Sequence, residues 1–256
     1  MGNRDIRLIP LRGIPEIKEG DDLSEIIFQT LHKQDIELQH KDILVIAQKV
    51  VSKAEGKIVD LEEVKPSAFA EKLGRELLKD PRVVEVILGE TKRIVKMQRK
   101  VDTGVMVVEN KDGLVLANAG IDASNVSGGN RVTLLPENSD ESAKKVVEGI
   151  RTMTGRDISV IITDTVGRPW RDGLTEIAIG CWGINPLRDY RHQKDREGYE
   201  LTATVIAIAD EIACAAGLLM GKNDAVPVII VRGYDYEPGY RGSGELIRDP
   251  EFDLFR

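Results

Sequence analysis

The sequence predicts an α+β protein of mixed sheets and packed helices, neither Rossmann nor P-loop in design. Three observations carry this. Apolar runs of strand length and segments of helical period follow one another without the regular alternation that builds a parallel βαβ array. Residues 104–117, GVMVVENKDGLVLA, set two apolar runs either side of NKDG, a β-hairpin pattern and hence an antiparallel element. No G-x-G-x-x-G follows a strand. GLLMGKN (217–223) falls one residue short of G-x-x-x-x-G-K-[ST] and ends on Asn223 rather than a hydroxyl that would reach magnesium.

In chain order, IRLIP (6–10) is a strand. Asp22 with Glu25 three residues later is a capping pattern, and Leu23, Ile26, Ile27 and Leu31 form the apolar face of the helix it starts. ILVIAQKVV (43–51) is too apolar to keep a wet face and is expected as one buried strand. Pro66 opens a helix through about Leu78, and Pro81 a second, shorter one, because proline suits the first helical turn. RVTLLP (131–136) is a candidate strand, Asn138 with Glu141 caps a helix ending near Gly155, and ISVIIT (158–163) is a strand.

ELTATVIAIADEIACAAGLLMG (200–221) begins with strand-like alternation. Yet Leu201, Val205, Ile208, Ile212, Ala216 and Leu219 share one helical face, so a single helix over about 200–220 is expected. VPVIIVRG (226–233) is the last strand. The chain is read as one unit over residues 1–256, or two closely packed α+β subdomains, with no repeat, low-complexity segment or separable linker.

Composition narrows the function. Of 256 residues 41% are hydrophobic but only 4% aromatic, so the core is aliphatic. A net charge of −7 with no basic arm argues against nucleic acid as a partner. No run reaches the ~18 apolar residues of a membrane span, and MGNRDIRLIP lacks a signal-peptide core; the expectation is a cytoplasmic protein with no membrane partner. Cys181 and Cys214 form no C-x-x-C pair and sit in apolar surroundings, as buried reduced thiols would. His32, His40 and His192 show no ligand spacing.

Two carboxylates stand out. Asp122 follows LVLANAGI, and Asp164, with Thr165, follows SVIIT; each ends an apolar run amid small polar residues. Strand ends are rigid enough to hold a metal ligand, and a divalent cation removes the repulsion between converging carboxylates. Mg²⁺ takes one or two protein carboxylates and completes its octahedron with water and phosphate oxygens. Either aspartate alone could instead close a turn on backbone amides.

Cations cluster at Lys49 and Lys53, and again at Arg168, Arg171, Arg188, Arg191 and Arg196, as an anionic substrate would require. Singly, each is also explained as part of a solvated face. Asp210 and Glu211 interrupt an apolar helical stretch, either for acid–base or metal work or as a satisfied surface pair. These residues point to a metal-dependent enzyme acting on anionic, phosphorylated substrates.

The series PLRGIPEIKEGDDL, VVSKAEG, NAGIDASNV, ITDTVGRPWR, ADEIA and LLMGKNDAVPVIIVRG, in this order from about Leu8 to Gly233, resembles the coenzyme F-420 gamma-glutamyl ligases. The resemblance implies GTP-dependent amide formation between L-glutamate and a deazaflavin carrying a phospholactyl group, followed by γ-linked addition. It implies a pair of Mg²⁺ or Mn²⁺ ions, an association with K⁺, an unusual α+β fold and an intertwined homodimer.

Carried onto this chain, Asp122, Asp164 and Thr165 would hold metal, with Glu211 a further carboxylate. Nucleotide contacts would fall on Pro10, Leu11, Arg12, Gly13, Gln48, Lys53 and Asn125, and on Met220, Gly221, Lys222 and Asn223. Asp122, Asp164 and Lys53 are then the expected catalytic set, and Arg168, Arg171 and Arg188 are assigned to the anionic groups of the acceptor. Two other classes use the same residues: a metal-dependent phosphohydrolase or phosphotransferase, and a nucleotide-sensing protein without catalysis.

Overall fold

A computed structural model describes residues 5–99, 102–122, 130–221 and 224–253. The first half of the chain runs β1 (Arg7–Pro10), α1 (Leu23–Lys33), β2 (Ile43–Ala47), α2 (Gln48–Ala54), β3 (Ile58–Asp60), α3 (Ala68–Leu77), α4 (Pro81–Glu90) and β4 (Thr91–Arg99). There follow β5 (Gly104–Asn110), β6 (Val115–Ala117), β7 (Arg131–Thr133) and α5 (Ser139–Thr154). The last part runs β8 (Ser159–Arg168), β9 (Arg171–Trp182), β10 (Leu187–Asp189), β11 (Val205–Ala207), α6 (Ile208–Met220) and β12 (Val228–Arg232).

The central sheet has the order β1-β12-β2-β8-β9. Its β2–β8 pair is parallel and its other pairs are antiparallel, so the expected α+β class holds. Side chains of a strand alternate between faces. Leu44 and Ile46 of β2, with Val160 and Ile162 of β8, pack on Ile27 and Leu31 of α1 and on Val146 and Ile150 of α5. The other face, Ile43, Val45 and Ile161, packs on Ile212, Ala213 and Ala216 of α6. Helices therefore cover both faces, which is why β2 is apolar throughout.

A separate core lies under α3 and α4, where Leu73, Leu77, Val84 and Ile87 meet Met106 and Val108 of the β4-β5-β6 sheet. β3 and β7 form a short antiparallel ribbon.

Local chemistry sets most boundaries. Asp22 accepts from the Ser24 and Glu25 amides, and Asn138 from that of Glu141, each satisfying N–H groups that a helix start leaves open. Gly155, at φ +67°, closes α5 in the left-handed conformation that glycine adopts without strain. The 104–117 hairpin forms as expected, with Val107 opposite Ala117.

Five expectations are corrected. The 43–51 strand stops at Ala47, where its pairing with β8 ends at Thr163; Gln48, Val51 and Ser52 are buried at helical spacing in α2. α3 starts at Ala68 with Ser67 as its cap, and α4 matches it in length at 10 residues. The 200–220 helix begins only at Ile208, because residues 205–207 hydrogen-bond to β10 as a strand. Cys181 is buried, and burial pushes its thiol up to about 12, but Cys214 is exposed.

Candidate active site

The site is built where β2 ends beside the middle of β8. Because the pair is parallel with Ala47 opposite Thr163, the carboxyl end of β2 lies beside the Asp164–Thr165 stretch of β8. There α2 turns away from β2, while β8 continues through Asp164 and Thr165 alongside β9. A cleft of 790 Å³ results, lined by residues 14–17 after β1, Gln48, Lys49 and Lys53 of α2, Thr163 to Thr165, Glu176, and Met220 and Gly221 at the end of α6.

Asp164 carries the main electrostatic perturbation. Burial raises its pKa to about 6, and the charges of Glu176 and Asp122 push the same way; hydrogen bonds from the Thr165 backbone and the Gln48 side chain oppose them in part. Asp122 is held by two backbone hydrogen bonds with Thr133, of 3.0 and 2.8 Å, an isolated bridge that extends the β3–β7 ribbon toward the site. Its carboxylate lies 2.5 Å from Lys49 Nζ. Lys53, its side chain mostly buried, places Nζ 2.5 Å from Glu16 Oε1.

Glu176 was not among the residues the sequence singled out. It is 9% exposed and lies opposite Thr165 in the β8–β9 register. Thr165 Oγ1 donates to its Oε1 at 2.5 Å, and Thr163 Oγ1 lies 3.0 Å from its Oε2. The signal was an acid inside the otherwise apolar run LTEIAIGCW, visible only once that run is recognised as a strand. Gly217 has a related explanation: a Cβ there would stand 2.6 Å from Glu176 Cγ, so this glycine makes room for a side chain rather than for a phosphate.

The structure thus brings together Asp122, Asp164, Thr165, Gln48, Lys53, Met220 and Gly221. Pro10 ends β1; the buried Leu11 donates its N–H to Val228 O at 2.9 Å, and the exposed Arg12 and Gly13 lead into the cleft wall at Ile14. Asn125, Lys222 and Asn223 lie outside the described residues.

Other expected residues are not brought to the cleft. Glu211 is exposed in the first turn of α6, nine residues from Met220 and so about 13 Å along the helix axis. Its neighbour Asp210 accepts from the Ala178 amide at 2.8 Å. Arg168 and Arg171 lie at the exposed end of the β8–β9 hairpin, where Arg168 Nη2 donates to Asp172 O at 2.8 Å. Arg188 lines a second cavity, of 350 Å³, near the start of α6, with its guanidinium 5.1 Å from the Tyr190 ring centroid.

Among the described residues no three His, Cys, Asp or Glu side chains could enclose a metal between them. The donors present fit a hard cation nonetheless. They are all oxygen, and two carboxylates are close enough for one to raise the pKa of the other. Mg²⁺ and Mn²⁺ need no full protein cage, since phosphate oxygens and water complete the shell.

An α+β fold that gathers acidic oxygens and two lysines around one cleft has the character of an enzyme site for a charged substrate. The F420-0:gamma-glutamyl ligase family model matches residues 13–233, and the chain belongs to that family. It is 42% identical over 254 residues to the coenzyme F420:L-glutamate ligase of Methanothermobacter thermautotrophicus, covering 98% of this chain and 99% of that one. The proteins of the same name from Methanopyrus kandleri and Methanocaldococcus jannaschii are each 42% identical over 256 residues, with at least 98% of both chains covered.

Proposed function

We propose that this protein is a GTP- and divalent-metal-dependent ligase that joins L-glutamate to the phospholactyl carboxylate of a deazaflavin F420 precursor and then extends it through the γ-carboxylate. Family membership and full-length similarity to coenzyme F420:L-glutamate ligases support the substrates. The observation that carries the chemistry is the convergence of Asp122, Asp164 and Thr165 with Lys53 on one cleft edge.

A carboxylate is a poor electrophile, so amide formation needs activation. In this reading the γ-phosphoryl of GTP passes to the acceptor carboxylate, breaking the β–γ bridge to release GDP and giving an acyl phosphate. The glutamate amine attacks the acyl carbon, loses a proton and expels phosphate. Divalent ions held by Asp122, Asp164 and Thr165 would neutralise phosphate charge during the transfer. Lys53 supplies a fixed positive charge to the phosphates, and Gln48 fixes the Asp164 carboxylate by hydrogen bonding. By resemblance to the family, K⁺ and a homodimer belong to the same reading. Arg168, Arg171 and Arg188 do not line this cleft and take no part in the transfer step in this reading.

Phosphate release from GTP tests this reading. With Mg²⁺ and acceptor present, adding L-glutamate should stimulate release, and Asp164→Asn should abolish it. Release indifferent to glutamate would point to a phosphohydrolase instead.

A further inference from the structure

We propose that Glu176 is a positioning residue for the cation-binding corner of the cleft, acting by accepting the hydrogen bond of the Thr165 hydroxyl so that Oγ1 can serve a cation there only as an acceptor. This rests on the divalent-ion reading above. An ionised carboxylate can only accept, and a hydroxyl has one proton to give. The 2.5 Å contact between Thr165 Oγ1 and Glu176 Oε1 therefore fixes where that proton points. What remains on Oγ1 is lone-pair density, suited to a hard cation and unsuited to donating into a phosphate.

The fold invests in this arrangement. Glu176 is nearly buried between β8 and α6, an expensive place for a carboxylate unless it is well partnered. Its second oxygen lies 3.0 Å from the hydroxyl of Thr163, two residues earlier on the same strand face. α6 admits it only at Gly217, where any Cβ would crowd Cγ at 2.6 Å. Glutamine keeps the shape but offers one accepting oxygen in place of two and sets an N–H donor against the other hydroxyl, so it cannot hold both threonine protons.

The test is Mn²⁺ binding to the full chain without nucleotide, read from the paramagnetic resonance signal of the free ion. Wild type, Glu176→Gln, Thr165→Val and the double variant are compared, with circular dichroism checking the fold. Glu176→Gln should weaken binding about 10–100-fold, as loss of partners behind metal ligands does. In the Thr165→Val background the same change should cost much less, since the hydroxyl it orients is gone. Gly217→Ala, which displaces the carboxylate while keeping its charge, should weaken binding in the same direction and replaces Glu176→Gln if that variant does not fold. No loss, or equal losses in both backgrounds, would overturn the inference alone. A wild-type protein that binds no Mn²⁺ would overturn the divalent-ion reading and the inference with it.

Discussion

At Asp164, burial and then the neighbouring carboxylates of Glu176 and Asp122 favour the protonated acid up to about pH 6. Below about pH 4 the group is protonated whether the chain is folded or not, and it contributes nothing to pH dependence. Between pH 4 and 6 the folded state holds the extra proton, so stability falls as pH rises. Above pH 6 the penalty is complete, at about 3 kcal/mol. Asp164→Asn removes it. In chelator, the stability gained by the variant over wild type in urea unfolding should be near zero below pH 4 and climb to a plateau above pH 6; a difference independent of pH would contradict this account. Added Mn²⁺ should raise the melting temperature of wild type and leave that of Asp164→Asn little changed, because only a protein that binds the ion is stabilised by it.

Between elements, two contacts leave little tolerance. β9 passes the start of α5 so closely that a Cβ on Gly180 would stand 2.5 Å from the Ser139 backbone, which cannot swing aside. Gly180→Ala should cost about 1–3 kcal/mol by overpacking, read from thermal or urea unfolding. At the opposite end of β2 from the cleft, Arg232 of β12 grips Asp42 through Nε at 2.9 Å and Nη2 at 2.6 Å, and Asp42 is 1% exposed. Breaking such a pair strands a buried charge, so Asp42→Ala should cost about 3–5 kcal/mol, again by urea unfolding. Elements like α1 and α5 were legible because their caps, Asp22 and Asn138, are local chemistry. α2 and β11 were not. The apolar run through Val51 gives no sign that β2 loses its partners after Ala47, and residues 205–207 are a strand because β10, across the intervening loop, pairs with them.

Across the whole molecule, the cleft draws on segments that the chain order keeps far apart: residues 14–17, α2, the middle of β8, one residue of β9 and the end of α6. The two aspartates could be found from sequence because each ends an apolar run, and the family motifs pointed to the same pair. Glu176 could not be, since its place in the cleft depends on the β8–β9 register, and the clustering of Arg168, Arg171 and Arg188 in the sequence does not say where their segments fold relative to the cleft. The central claim is that this single edge performs glutamate ligation. Mass spectrometry of the deazaflavin acceptor after incubation with the protein, GTP, Mg²⁺ and L-glutamate tests it most directly. The account predicts products heavier by whole glutamyl residues, absent when GTP or metal is withheld and absent with Asp164→Asn. An acceptor of unchanged mass, alongside steady phosphate release from GTP, would contradict it.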